Sequence, residues 1–364
     1  MTRQRWWAAA GAVVALGAWW LLWRGGCGAG EGLFPADPAG QAARPLEERG
    51  GPAGASAVVA APVLKPPRTA PEAIRSAAGM VVWGSGPGQL GRERQEEGNA
   101  EGPMAVSLGP AGEAWVVDTV NGRLQRFSPD GGHLGSQPLA VQYAQDVAVL
   151  PDGRTLQLDR LVDKAVAVVA ADGRVLGELP LAGPSLEEPG GVTGLFVDGE
   201  DVYVERAHGA LVRVGDASGK RDEVQPEAPG RPSRDGASWL SAGVVDGEAG
   251  RLYVTSIRRQ PLAQRFTREL RVPPAVLRLV WLDSDAAGVI YLAWLSDAGG
   301  AGPQVVLACL AGDDGRVLGQ RALPASNVPD ETFREFAVDP AGGALYAWRT
   351  EDGMQLLPVD CRTP

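Results

Sequence analysis

The chain has 364 residues, room for one large domain or two ordinary ones, and 50 of them are Gly and 29 Pro. A hydrophobic share of 45% still supports a sizeable core, so the chain as a whole is not disordered. The 44 acidic against 34 basic residues give a net charge of −10, which excludes a general nucleic-acid binder, since phosphate binding needs a basic face. Three cysteines without a CxxC pair exclude a zinc ribbon or a disulfide scaffold, and two histidines, His133 and His208, leave little for histidine-based catalysis.

At the amino terminus Arg3 and Arg5 precede an uncharged run from Trp6 to Trp23. As a helix, such a run spans roughly 27 Å, close to the ~30 Å hydrocarbon core of a bilayer. Trp6, Trp7, Trp19, Trp20 and Trp23 sit at its two ends, where headgroup interfaces lie. Positive charge ahead of the run places the amino terminus inside and everything after Arg24 outside. Residues 1–24 therefore read as a transmembrane anchor. With an Ala, Gly, Pro and Arg bias that fits a GC-rich bacterial genome, the expected location is a bacterial inner membrane, single-pass, with the remainder periplasmic. A cleaved signal peptide is the rival, with Gly28-Ala29-Gly30 as the processing site and secretion as the result. Cys27 invites a lipoprotein reading, but Arg24 stands where a lipobox wants an apolar residue. Residues 25–78 are Gly, Ala and Pro with scattered charge. Pro62, Pro66, Pro67 and Pro71 favour extended chain, so this stretch reads as a disordered linker that spaces the folded domain from the bilayer.

From Met80 onward short β-type runs alternate with Asp-Gly, Pro-Asp-Gly and Gly-Gly turns. The first unit runs from Ala105 to Asp118, then Arg123 to Phe127. The second runs from Asp146 to Asp159, then Ala165 to Val169. Echoes follow at Gly194 to Val204, Ala242 to Val254, Leu279 to Leu292 and Glu335 to Ala347. The hairpin turns are assigned to Gly112, Gly153, Gly199, Gly250, Gly288 and Gly343, spaced by 41, 46, 51, 38 and 55 residues. That period is one of four-stranded propeller blades, and residues 79–364 are expected to form an all-β, six-bladed β-propeller of four-stranded antiparallel blades. Residues 262–272 are the least legible, which leaves five or seven blades open. The last blade shows three strands before the chain ends. Val81-Val82-Trp83 is a spare strand that can complete it and hide the open edge.

The run from Trp83 to Gly91, then Gly102 to Val106, then Ala114 to Phe127 resembles an NHL repeat, most closely at Asp118-Thr119-x-Asn121-x-Arg123 followed by Phe127. In the second blade Asp159-Arg160 stands in and the Asn is missing; later blades keep only strands and turns. The resemblance implies a propeller whose loops gather at one channel mouth. It also brings in lyase relatives whose metal binding depends on several histidines, more than the two present here.

Gly86-Pro-Gly88-Gln-Leu-Gly91 matches GxGxxG, but the charged residues after it offer no helix face to pack on a sheet, so it reads as a loop entering blade one. Asp283-Ser-Asp285 begins like a calcium loop, yet its twelfth position is Trp294, so it reads as a turn. Asp118, Asn121 and Arg123 read as a structural turn motif, with a polar binding triad as the alternative. Arg258, Arg259, Arg265, Arg268, Arg271 and Arg278 are the densest basic run and the best candidate binding surface. Cys309 and Cys361 lie on apolar strands of the last two blades, and can pair as a disulfide or stay as buried thiols. No catalytic set, metal site or cofactor is expected.

The function expected from this reading is a membrane-tethered extracytoplasmic interaction module for a protein or glycan partner. The alternative is a metal-dependent propeller enzyme of the lactonase or lyase type. It would need carboxylates such as Asp146, Glu187, Glu188 and Asp235 to converge at the innermost strands.

Overall fold

The computed structural model describes residues 79–364 and Leu64, apart from residues 95, 98, 99, 274, 298–301, 363 and 364. Glycine-punctuated apolar runs become six four-stranded antiparallel sheets around an axis. Closing the chain is β1 (Met80–Val82), described with the last blade below. Blade one is β2 (Val106–Leu108), β3 (Ala114–Asp118), β4 (Arg123–Phe127) and β5 (His133–Pro138). Blade two is β6 (Asp146–Val149), β7 (Thr155–Asp159), β8 (Ala165–Val169) and β9 (Val175–Pro180). Blade three is β10 (Val192–Asp198), β11 (Asp201–Arg206), β12 (Leu211–Asp216) and β13 (Glu227–Ala228). Blade four is β14 (Arg231–Pro232), β15 (Ser238–Asp246), β16 (Arg251–Arg258) and β17 (Ala263–Arg271). Blade five is β18 (Val276–Ser284), β19 (Ile290–Asp297), β20 (Pro303–Leu310) and β21 (Val317–Pro324). Blade six is β22 (Phe336–Val338), β23 (Ala344–Thr350) and β24 (Gly353–Val359), completed by β1.

First strands touch around the axis, β2 meeting β6 and β22, and β10 meeting β6 and β14. Apolar side chains fill the seams between blades. Leu156, Leu158, Val166 and Val168 of blade two pack on Val202, Val204, Val212 and Val214 of blade three. Tyr291, Leu307 and Cys309 of blade five pack on Phe336, Tyr346 and Leu357 of blade six. Each such fully buried aliphatic side chain contributes about 1.5–3 kcal/mol relative to exposure. The seam between blades three and four is thinner: Tyr203, Leu211 and Ala228 of blade three meet the partly buried Trp239 of blade four.

The ring closes as the spare-strand reading expects. Met80 pairs with Gln355, Val81 with Met354 and Val82 with Gly353, so the first described strand is the outer strand of the last blade. Buried Val81 joins Val106, Val116, Met354 and Leu356 in the seam between blades six and one. Cys309 and Cys361 are joined as a disulfide, with Cα atoms 5.7 Å apart, tying the third strand of blade five to the segment after β24.

One assignment of turns is corrected. Gly112, Gly153, Gly199, Gly288 and Gly343 do lie between first and second strands, but Gly250 lies between β15 and β16, the second and third. Gly236 fills the corresponding place in blade four, its amide bonded to the Ser233 carbonyl. The first strand there is only two residues long, Arg231–Pro232, and shows no apolar run to read. Among the described residues no helix is long and apolar enough to cross a membrane. The expected anchor, residues 1–24, lies outside the described residues, as does the linker apart from Leu64.

The Cys309–Cys361 bond closes a 52-residue separation. Replacing both cysteines with alanine is expected to cost about 4 kcal/mol by chain entropy. Urea denaturation of the oxidised protein and the double variant measures it; superimposable curves would contradict the bond's role.

Candidate functional site

Every blade turns its first strand down the axis, so one face collects the second-to-third-strand turns and the crossovers that enter each first strand. On this upper face the channel opens into a cavity of 710 Å³, lined by the entries of β10, β14 and β18, by β15 and by residues of β11. Below it the axis is plugged. Phe196 and Trp281 stack at 6.0 Å with 17° between planes. Two guanidinium groups lie against the same rings: Arg231 at 4.8 and 5.0 Å, and Arg334 at 5.8 and 4.6 Å, from Phe196 and Trp281 respectively.

These arginines are held by buried carboxylates. Arg334 reaches across the axis to Asp146 at 2.7 Å and to the Leu195 carbonyl at 2.6 Å. Asp146 also accepts the amides of Val147 and Leu195, so one carboxylate joins blades two, three and six. Burial pushes the Asp146 carboxyl up, opposed by Arg334 and by the two amides. Arg231 binds Glu205 through two nitrogens, at 2.8 and 3.1 Å, and the Leu282 carbonyl at 2.9 Å. Burial opposes the charge on Glu205, but His208, Arg231 and Thr193 outweigh it and hold the carboxyl at about 2. A third pair, Arg278 with Glu335 at 2.9 Å, stands on the other side of the mouth.

The rim over Glu205 is a tight turn in which Ala207 (φ 48°) and His208 (φ 55°) both adopt the left-handed region without being glycine. Such residues cost of order 1–3 kcal/mol each. Thr193 holds the turn: its hydroxyl accepts the His208 amide at 2.9 Å and donates to Glu205 at 3.0 Å. His208 itself is largely exposed, its Nδ1 3.6 Å from Glu205.

The residues singled out by sequence fall in several places. Asp118 is fully buried and accepts Gly91 N, Asn121 Nδ2, Arg123 Nε and Gln125 Nε2. Arg123 also donates to the carbonyls of Ser85, Gly86 and Gln89, and Asn121 to that of Gly84. The turn motif thus clasps the GxGxxG loop onto blade one. The left-handed position of this turn is Gly122 (φ 64°), and Asn121 sits in a short 3-10 turn at Thr119–Asn121. The arginine run is dispersed. Arg259 pairs with Asp198 at 2.5 Å and covers Trp239 at 4.2 Å. Arg265 and Arg268 donate to the Gly312 and Asp314 carbonyls of blade five. Arg258 and Arg271 are exposed on blade four, and Arg278 alone of the run lines the mouth. Of the carboxylates, Asp146 lies on the axis, Glu187 and Glu188 are exposed, and Asp235 sits in the lower turn of blade four. Asp285 accepts the amides of Ala287 and Val289 and the Tyr291 hydroxyl, a turn between strands. Among the described residues no group of three or more His, Cys, Asp and Glu is placed to hold a metal ion.

Sequence reading missed Glu205, Arg231, Phe196, Trp281 and Arg334. A usable signal exists: Asp146, Arg231 and Arg334 each carry charge at the entry of a first strand, where side chains converge on the axis.

No family model matches the chain, and no curated protein matches it. Several solved structures are similar to it at low identity. Regucalcin from Agrobacterium tumefaciens, described as calcium-binding, shares 16% identity over 75% of this chain and 95% of its own, with a TM-score of 0.44. Virginiamycin B lyase from Staphylococcus aureus shares 13% over 71% and 94%, with a TM-score of 0.40. Hydrazine synthase from Kuenenia stuttgartiensis shares 14% over 70% and 77%, with a TM-score of 0.45. The class of the protein rests on its own six four-stranded sheets: the chain is an all-β, six-bladed propeller.

Because Glu205 is depressed from its ordinary 4.5 to about 2, its stabilisation is full above pH 4.5 and is lost as pH falls through 2. Glu205→Gln is expected to destabilise the protein by up to about 3 kcal/mol at pH 7, with the deficit closing between pH 4.5 and 2. Thermal melts of both proteins across that range check it; a deficit independent of pH would contradict it.

Proposed function

We propose that this protein is a membrane-tethered, extracytoplasmic propeller of the NHL type that binds a protein or glycan partner at the upper channel mouth. One observation carries the reading. The buried carboxylates at the mouth and on the axis, Asp146, Glu205 and Glu335, are each matched by an arginine, Arg334, Arg231 and Arg278, at 2.7 to 2.9 Å. Carboxylates held this way shape and stiffen a recognition surface. To act in a metal-dependent lactonase or lyase they would first have to leave their guanidinium partners, at a cost of several kcal/mol per buried charge. The tether rests on the arginine-flanked apolar run of residues 6–23, and the NHL likeness on Asp118, Asn121 and Arg123 in blade one.

The test is capture of a crosslinked partner from envelope extract with the full chain in detergent. Arg278→Glu at the mouth is expected to reduce capture at least tenfold, while Arg316→Glu, exposed on the lower face, leaves it unchanged. Capture insensitive to Arg278→Glu, or turnover of lactone substrates abolished by a chelator, would overturn the reading.

A further inference from the structure

In blades three and five the second strand is paired along the side that faces the axis. In blade three, for example, β10 accompanies β11 from Asp201 to Arg206. Blade four differs. Its first strand, β14, pairs only Arg231 with Leu240 and Pro232 with Trp239, while β15 continues to Asp246. Beyond Leu240, among the described residues, no strand pairs with β15 on the side away from β16.

Register tells which groups are left over. The Ser238 carbonyl accepts the Ser233 amide across the first turn, and Leu240 pairs with Arg231 on the same side. A strand repeats every second residue, so Ala242 and Val244 point their N–H and C=O groups inward as well. Two donors and two acceptors, about 6.8 Å apart along the strand, therefore face the cavity without a backbone partner. Ser241, Ala242, Gly243 and Val244 all line that cavity. Their side chains are small, which leaves the backbone within reach. Gly243 has a specific reason to be glycine: a Cβ there would stand 2.4 Å from Cε1 of Tyr253, whose ring lies across the strand.

The other wall gives the chemistry of the occupant. Trp281 Nε1 and Thr332 Oγ1, on residues lining the cavity, are buried and have no hydrogen-bond partner among the described residues, and the tryptophan is only 6% exposed. Arg278 is half exposed, whereas its carboxylate partner Glu335 is buried. Trp281 Nε1 therefore calls for an acceptor, and Arg278 presents a cation. An acidic side chain of the occupant therefore belongs beside Arg278.

We propose that the mouth takes an extended peptide segment with an acidic side chain, which adds as a strand to the free inner edge of β15 at Ala242 and Val244. This rests on the mouth being the binding site and narrows the partner from protein or glycan to an extended polypeptide. The ladder supplies affinity through main-chain hydrogen bonds, and Arg278, Trp281 and Thr332 supply selectivity for acceptor groups.

The experiment pans a displayed library of randomised eight-residue peptides on the full chain in detergent, then measures affinity and amide hydrogen exchange with the enriched peptides. Enriched sequences are expected to carry Asp or Glu and to slow exchange across residues 240–246 at least tenfold. Ala242→Pro, which removes an inward N–H and leaves the β15–β16 ladder intact, is expected to weaken binding at least tenfold, while Ala242→Ser is not. The exchange readout on the unmodified protein stands even if the proline variant fails to fold. Peptides that bind without protecting residues 240–246, or a library that yields no binder, would overturn the strand addition. Should a glycan then bind in a manner lost with Arg278→Glu, the mouth would remain the binding site with a different occupant.

Discussion

The first strands of six blades leave a channel on their shared axis, and here buried charge fills it. Asp146 with Arg334 and Glu205 with Arg231 reach across blade boundaries to each other and to the carbonyls of Leu195 and Leu282. Removing one partner of such a pair leaves an uncompensated charge and typically costs 3–5 kcal/mol, more than most single apolar contacts. The stacked rings of Phe196 and Trp281 lie against both guanidinium groups, so the pairs hold the rings in place and the rings cover the pairs.

The site lies where apolar packing is weakest. Between blades three and four the buried cluster is small, and polar contacts take over: Arg259 to Asp198, Arg259 on Trp239, and Arg231 to Glu205. A seam closed by directional contacts, unlike one closed by aliphatic packing, can leave a cavity open above it. Blade four adds to this by ending its first strand after two residues, so β15 stands as an uncovered wall. The left-handed turn at Ala207 and His208 forms the facing rim, positioned by Thr193.

What the sequence could and could not tell follows from range. Local turn chemistry located the first hairpin of five of the six blades, because glycine-containing turns fix hairpins within a few residues. The closing strand at Met80–Val82 was also legible, since a blade with three strands requires a fourth. Blade four was misread because Arg231–Pro232 carries no β signature and the tall β15–β16 hairpin mimics a first hairpin. The axial pairs join residues 188 and 26 positions apart, and no local pattern links them. The arginine run looked like one surface in sequence. The register shifts opposite Ser256 and Ile257, with Arg265 the extra residue of β17; Arg265 and Arg268 reach blade five, while Arg259 reaches blade three.

The dependence of the ring on its axial charges is measured most directly by a double-mutant cycle on Asp146→Asn and Arg334→Gln, read as unfolding free energy. Coupling of about 1.5–3 kcal/mol is expected if the carboxylate and guanidinium clamp three blades together. Additivity of the two single changes within about 0.5 kcal/mol would show that the channel is held by packing alone, and would contradict the role assigned here to its charge.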